Sequence, residues 1–176
     1  MKNIIFYVLL LICFFYNCFV IHSQSNCDQD SVKYLIAYNY IINDSVNKEN
    51  KMTVCDSIVD LDRFWFSRNL TDFPQEKKIL DQYRENKKFI WFEPFYSPCL
   101  ASIFCKKGMS KHVLFFSQIE DNMLRADLLP SKKQFNCTDI YNYHKMASFT
   151  EGRIYMFIFN DDGTIKAFFN NEIIYD

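Results

Sequence analysis

The sequence RIYMFIFNDDGTIKAFF, residues 153–169, contains two β-prone runs on either side of a short polar turn. Residues 153–159 and 164–169 are rich in aromatic and β-branched side chains, and Asn-Asp-Asp-Gly separates them at 160–163. Two such runs around a turn of this kind predict an antiparallel hairpin. In residues 153–159 both alternating positions are apolar, so each face of this strand needs a covering layer. We therefore expect a sheet that is covered on both sides or lies centrally.

Two helices are predicted in the N-terminal half of the chain. Residues 28–43 have an apolar stripe at nearly helical spacing, and Asp30 or Ser31 is suited to cap the start of this helix. The stripe consists of Val32, Leu35, Ile36, Tyr38, Asn39 and Ile42. Residues 75–88 have a second stripe, formed by Ile79, Leu80 and Tyr83 among charged neighbours. Both segments are long enough for ordinary globular helices.

Several further strands are predicted from alternation and β-prone composition. Residues 52–63 alternate, with Val59 and Leu61 on one face and Asp60 and Asp62 on the other. Phe64, Trp65 and Phe66 are expected to extend that strand or anchor its end. The remaining predicted strands are 89–92, which ends before Pro94, and 112–119 and 123–129, which are joined by Glu120, Asp121 and Asn122.

This order of elements predicts an α+β fold. We expect a curved, mostly antiparallel sheet with the two helices of the N-terminal half packed on it. The element order resembles that of cystatin-like and nuclear-transport-factor-2-like cones. That resemblance rests on element order and on no sequence motif, and it implies a pocket at the open mouth of the sheet.

The first 23 residues have the layout of a secretory signal peptide. Lys2 precedes an apolar run at residues 4–21, and Ser23 provides a small residue for cleavage before Gln24. The interpretation is a signal peptide at 1–23 followed by one exported domain at 24–176, which is secreted, periplasmic or at the cell surface. The alternative is an uncleaved membrane anchor, because residues 4–21 are just long enough to span a bilayer.

The net charge of −1 gives no large field of one sign. Neither nucleic acid nor an anionic membrane surface is therefore expected as a partner, and membrane association is expected only through an uncleaved N-terminal segment. No glycine-rich phosphate loop or metal-binding cysteine spacing occurs in the sequence, so we predict neither a cofactor nor a metal site.

Beyond the leader the chain contains an odd number of cysteines: Cys27, Cys55, Cys99, Cys105 and Cys137. Cys99 and Cys105 are close enough in sequence to close a small loop, and in an oxidising compartment they are the first candidates for a disulfide. The alternative is that most of these cysteines are small buried apolar residues.

Three segments match the acceptor pattern for N-linked glycans, which applies only in a source that glycosylates exported asparagine. They are Asn43-Asp44-Ser45, Asn69-Leu70-Thr71 and Asn136-Cys137-Thr138.

Aromatic residues near a proline are the best sequence-based binding candidates. Trp91, Phe95 and Tyr96 flank Pro94, and such rings stack on sugars or anchor protein partners. Because no catalytic motif is present, we assign no catalytic residue. The predicted function is non-enzymatic binding of a protein, peptide, glycan or small molecule.

The alternative prediction is a secreted hydrolase whose site is assembled from distant segments. Its candidate groups are the carboxylates of Asp60, Asp62 and Glu93 and the imidazole of His144. A thiol and imidazole pair of Cys137 and His144 is the other nucleophilic arrangement that the sequence offers.

Overall fold

The structure is a computed structural model that describes residues 29–47, 52–86, 94–104, 111–131, 143 and 150–175. Within these residues the chain forms one six-stranded, mostly antiparallel sheet with helices on both of its faces. The predicted α+β class is confirmed.

The described helices come mainly from the first two thirds of the chain. They are α1 at residues 29–43, a 3-10 helix at Arg63–Asn69, α2 at Pro74–Asn86 and α3 at Pro98–Phe104. The two predicted helices correspond to α1 and α2. Pro74 begins α2, a position where the missing proline N–H is no loss.

The strands are β1 at Met52–Ile58, β2 at Phe95–Tyr96, β3 at His112–Phe116, β4 at Met123–Pro130, β5 at Thr150–Phe159 and β6 at Ile165–Tyr175. Their order in the sheet is β2-β1-β3-β4-β5-β6, and β1 and β3 are parallel while every other neighbouring pair is antiparallel. β6 therefore lies at one edge of the described sheet.

The hairpin predicted from the opening sequence is confirmed as the β5–β6 pair, which extends beyond both predicted ends. Its turn is closed by backbone hydrogen bonds from the Asn160 N–H to the Thr164 oxygen, at 2.8 Å, and from the Gly163 N–H to the Asn160 oxygen, at 2.9 Å. Gly163 has a φ of 83°, a left-handed conformation that glycine adopts at little cost.

Both faces of the sheet are covered, as the apolar residues on both faces of β5 predict. On the first face α1 and α3 pack over a cluster formed by Tyr34, Ala37, Ile41, Val54, Ile58, Leu100, Leu114, Phe116, Leu124, Ala126, Leu128, Tyr155, Phe157 and Phe159. On the second face the 3-10 helix and α2 contribute to a cluster with Phe66, Leu70, Leu80, Met123, Ile154, Met156, Ile158 and Ile173. A further cluster contains Cys55, Val59, Leu61, Val113, Phe115, Leu129 and Tyr143.

The predicted apolar stripe of α1 is correct only in part, since Ile36 and Tyr38 are half-buried against the first cluster. Tyr34, Ala37 and Ile41 are the fully buried residues of this helix, whereas Val32 and Leu35 are 54% and 43% exposed. These three residues are spaced three and four positions apart, so they lie on one face of α1. That face, rather than the centre of the predicted stripe, is turned towards the sheet. The predicted cap is also wrong, because Asp30 and Ser31 lie inside the helix.

The segment after β1 is a 3-10 helix rather than an extension of the strand. The Asp62 carboxylate accepts a hydrogen bond from the Phe64 N–H at 2.9 Å and caps this helix, which buries Phe66 against the sheet. Because this capping bond starts a helix at Arg63, the aromatic run does not extend β1 as expected. The predicted alternation nevertheless holds for burial, since Val59 and Leu61 are buried and Asp60 and Asp62 are exposed.

Residues 100–104, which lie between Cys99 and Cys105, belong to α3. α3 begins after Ser97, whose hydroxyl accepts from the Leu100 N–H at 3.3 Å, and Pro98 occupies its first turn. Cys105 lies outside the described residues, so the Cys99–Cys105 disulfide stays a prediction.

Some predicted features fall outside the described ranges. The leader at residues 1–23, its alternative as an anchor at 4–21 and the predicted strand at 89–92 are among them. Among the described helices, none has both the length and the apolar character needed to cross a bilayer.

Candidate binding site

A groove lies between the C-terminal half of α1 and β6 on the first face of the sheet. It has a volume of about 520 Å³ and is lined by Asn39, Tyr40, Asn43, Asp44, Phe168 and Asn170. We call it the α1–β6 groove. β6 is an edge strand of the described sheet, and the volume of the groove is in the range of small-molecule sites, about 300–1,000 Å³.

Two aromatic rings form the apolar part of the groove. The Tyr40 and Phe168 ring centroids are 5.6 Å apart and their planes are tilted by 49°. Tyr40 also meets Phe157 edge-on, with the centroids 6.3 Å apart. Tyr40 is nevertheless 51% exposed, so a positioned ring presents much of its surface to solvent.

Amide and carboxylate groups form the polar part. The Asn43 side-chain amide donates to the Asn39 backbone oxygen at 2.8 Å, and Asp44 Oδ1 accepts from the Val46 N–H at 3.2 Å. Asn170 Nδ2 lies 3.5 Å from Asp44 Oδ2, a long contact that joins the strand to the helix end. At that length the contact is weak, and a ligand hydroxyl can replace it at little cost.

A buried amide holds the end of α1 against the sheet below the groove. Asn47 Nδ2 donates to the Ile41 backbone oxygen and to the Tyr155 hydroxyl, each at 2.8 Å. Burial raises the pKa of the Tyr155 phenol, which the hydrogen bond from Asn47 opposes and the charge of Asp44 reinforces. Tyr155 therefore stays neutral and fixes the floor beside Phe168, whose ring stacks on it.

A second hollow of about 480 Å³ lies past the end of α1 on the same sheet. Its charged lining includes Glu151, Arg153 and Glu172, and Arg153 Nη2 lies 2.5 Å from Glu172 Oε1. Burial, and then the charge of Lys111, lower the pKa of His112, which also lines this hollow. In this hollow the Arg153 guanidinium and the Glu172 carboxylate already pair with each other. The α1–β6 groove is therefore the better candidate for a ligand.

The predicted aromatic binding residues do not form one patch among the described residues. Phe95 and Tyr96 are both exposed and lie on β2, opposite Ile58 and Ser57 of β1. Because they are consecutive in a strand, their side chains point to opposite faces. Trp91 lies outside the described residues.

The residues of the hydrolase alternative are not brought together in the part of the chain that the structure describes. Asp60 and Asp62 are exposed, and the Asp62 carboxylate is engaged as a helix cap. Glu93, Cys137 and His144 lie outside that part. Within the same ranges, no group of three or more His, Cys, Asp or Glu side chains is placed to hold a metal ion.

The groove residues were not among the sequence-based binding candidates. Tyr40 does not belong to the predicted apolar stripe of α1, and an aromatic residue on the polar side of a helix is a signal that could have been followed. Phe168 and Asn170 gave no such signal, because their role depends on a helix that lies more than a hundred residues earlier in the sequence.

The chain matches no protein family, no curated protein and no solved structure. The resemblance to cystatin-like and nuclear-transport-factor-2-like cones therefore stays a prediction from element order.

Proposed function

We propose that the protein is an exported, non-enzymatic binding domain that holds a small polar ligand in the α1–β6 groove. One observation carries the proposal: the exposed ring of Tyr40 faces the same groove as three amides and a carboxylate. Sites that bind small molecules combine aromatic surface with a few polar groups in this way.

The geometry of the groove supports binding because its polar groups are held in place. The hydrogen bond of Asn43 to the α1 backbone and that of Asp44 to the Val46 N–H, in the turn after α1, limit the rotation of these two side chains. Less side-chain freedom is then lost when a ligand binds, which favours affinity.

Export is the second part of the proposal, and the N-terminal sequence supports it. The test is intact mass of the product recovered outside the cytoplasm. A mass that matches a chain beginning at Gln24 supports cleavage after Ser23. A full-length product found only in the membrane fraction would refute the free exported form and favour the anchor at residues 4–21.

Binding is tested by two-dimensional amide NMR of the exported protein with four separate compound classes: neutral saccharides, short peptides, nucleosides and aromatic acids. We expect at least one class to shift the amide resonances of residues 39–44 and 168–170. Tyr40→Ala should suppress those shifts. Trp65→Ala is the matched control, because Trp65 is 59% exposed on the 3-10 helix, which covers the opposite face.

The proposal is wrong if none of the four classes shifts groove resonances at millimolar concentration. Release of product from a chromogenic glycoside or ester by the same protein, lost in Asp60→Asn or His144→Ala, would favour the hydrolase instead.

A further inference from the structure

The exposed Tyr40 ring has the support that a stacking platform needs. Phe168 and Phe157 contact it from the protein side, so the ring cannot rotate inward without displacing them. Its solvent side remains open. A flat ligand with an apolar face can therefore cover the ring without rearranging the core.

The polar groups around this ring include donors and acceptors side by side. The amides of Asn39, Asn43 and Asn170 each have both kinds of atom, and the Asp44 carboxylate only accepts. A hydroxyl group also donates and accepts, so neighbouring hydroxyls can use such a mixed set. A ligand with only donors or only acceptors would leave part of the set without partners, which is costly.

The charge of the groove further restricts the ligand. Its lining contains the Asp44 carboxylate and no basic side chain among the described residues. An anionic ligand would meet repulsion from Asp44 without a compensating cation. A neutral ligand avoids this penalty and can still donate a hydroxyl hydrogen bond to Asp44 Oδ2, in place of the long contact with Asn170.

These three properties together describe a sugar ring, which has an apolar face and a rim of neutral hydroxyls. We infer that the ligand of the α1–β6 groove is a neutral saccharide, stacked on Tyr40 and hydrogen-bonded to Asp44 and Asn170. This inference rests on the proposed function, since it names the ligand class for the same groove.

The experiment titrates the exported protein with the methyl glycosides of glucose, galactose, mannose and N-acetylglucosamine, followed by amide NMR. Glycerol is the control for hydroxyl groups without a sugar ring. Triglycine is the control for peptide amides in a molecule without net charge. All titrations use the Ser45→Ala background, which removes the glycan acceptor pattern at Asn43 without changing a residue that lines the groove.

We expect at least one glycoside to bind with a Kd of about 1 mM and to shift residues 39–44 and 168–170. Tyr40→Ala should weaken binding by at least about tenfold, whereas Tyr40→Phe should retain most of it because the ring is kept. Asp44→Ala and Asn170→Ala should each weaken binding, and Trp65→Ala should not. The spectrum of each free variant shows whether its fold is intact.

Three results would overturn the inference. The first is that no glycoside shifts the groove; if triglycine or another compound class then does, the proposed function stands and only the ligand class is wrong. The second is that glycerol binds as well as the glycosides, which would mean that the ring is not recognised. The third is that Tyr40→Phe loses as much affinity as Tyr40→Ala, which would mean that stacking is not the basis of binding.

Discussion

Arg125 and Asp127 form a two-point ion pair on the second face of the sheet, although both side chains are buried. Arg125 Nε donates to Asp127 Oδ1 at 2.7 Å, and Arg125 Nη2 donates to Asp127 Oδ2 at 2.9 Å. They are two positions apart on β4, so they point to the same face. Tyr143 donates its hydroxyl to Asp127 Oδ2 at 2.8 Å, and Arg125 Nη1 donates to the Asp62 backbone oxygen.

The pair is therefore satisfied internally, and this explains how two charges are accommodated between apolar clusters. Planar guanidinium and carboxylate groups that meet at two points form strong hydrogen bonds. The contact with Asp62 also joins the start of the 3-10 helix to β4. We interpret the pair as a structural element, because its partners leave it closed to solvent.

Removing one member of this pair should destabilise the protein strongly. Arg125→Met leaves the Asp127 carboxylate buried without its cation, and we expect a loss of about 3–5 kcal/mol in the free energy of unfolding, measured in urea. Arg153→Met is the matched control. It breaks the ion pair with the exposed Glu172 and should cost less than about 1 kcal/mol.

The double variant with Arg125→Met and Asp127→Leu distinguishes two causes of destabilisation. One is the loss of the ion pair, and the other is the burial of an unpaired Asp127 carboxylate. It should recover at least about 1 kcal/mol relative to Arg125→Met, because no buried charge remains. If the double variant is less stable than Arg125→Met, then the loss comes from packing and our interpretation is wrong.

The buried Asn47 amide should contribute more to stability than the exposed amides of the same helix end. Asn47→Ala leaves the Ile41 oxygen and the Tyr155 hydroxyl without this donor, and we expect a loss of about 1–3 kcal/mol. The control is Asn43→Ala, where an exposed amide is removed and the change should be within about 0.5 kcal/mol. Equal losses in the two variants, measured by urea unfolding, would contradict this prediction.

The Cys99–Cys105 disulfide remains a prediction that mass spectrometry can decide. If the bridge forms, the tryptic peptide of residues 89–106, which contains both cysteines, should gain the mass of two hydrogen atoms on reduction. Cys99→Ser should then release a reactive thiol at Cys105, detected by alkylation without a reductant. A native protein in which Cys99 is alkylated without reduction would rule the bridge out.

The features that the sequence predicted well are local. The β5–β6 hairpin depends on a four-residue turn and on two neighbouring runs, so both its existence and its two-sided burial could be predicted. The helix at Pro74–Asn86 has a proline start and charged neighbours, which are also local signals. Ser97 followed by Pro98 is a local signal of the same kind at the start of α3.

The features that could not be predicted depend on contacts between distant segments. The parallel pairing of β1 with β3 joins two strands that are separated in sequence by the 3-10 helix, α2, β2 and α3. The aromatic run Phe64-Trp65-Phe66 has a high β propensity, but burial of Phe66 and Leu70 against the second face favours a helical turn. The α1–β6 groove likewise forms only when two segments more than a hundred residues apart in the sequence meet.

Gly152 is expected to be sensitive to substitution because of packing. A Cβ atom at this position would lie 2.6 Å from Leu129 Cδ2 and 3.1 Å from the Leu128 backbone oxygen. Gly152→Ala should therefore cost about 1–3 kcal/mol in unfolding free energy. In a Leu129→Val background the added methyl has more room, so the cost should fall by at least about 0.5 kcal/mol.

Gly163→Ala is the control for this cycle, since no non-neighbouring atom of the described residues lies within 4 Å of a Cβ there and the cost comes from the positive φ. Its cost should be the same in both backgrounds. If Leu129→Val reduces the cost of both glycine substitutions alike, the steric explanation for Gly152 is incorrect.

The stability of the protein should fall on mild acidification, in part through His112. Burial, followed by the charge of Lys111, lowers the pKa of His112 from its ordinary value of 6.5. The folded state therefore binds a proton less readily than the unfolded state does. As the pH falls below 6.5 the unfolded chain gains the proton first, so stability decreases until the pH reaches the lowered pKa.

His112→Gln removes this contribution, and the comparison with the wild type isolates it from other groups that titrate. In urea unfolding at several pH values from 7.5 to 5, the stability of the variant should rise relative to that of the wild type as the pH falls. Asp30→Asn is the control with the opposite sign. Burial raises the pKa of Asp30 above its ordinary value of 3.8, against the charge of Lys33, so the folded state gains this proton before the unfolded state does. As the pH falls through the raised pKa towards 3.8, Asp30→Asn should therefore lose stability relative to the wild type. Parallel pH profiles for His112→Gln and the wild type would show that the His112 imidazole protonates equally in the folded and unfolded states.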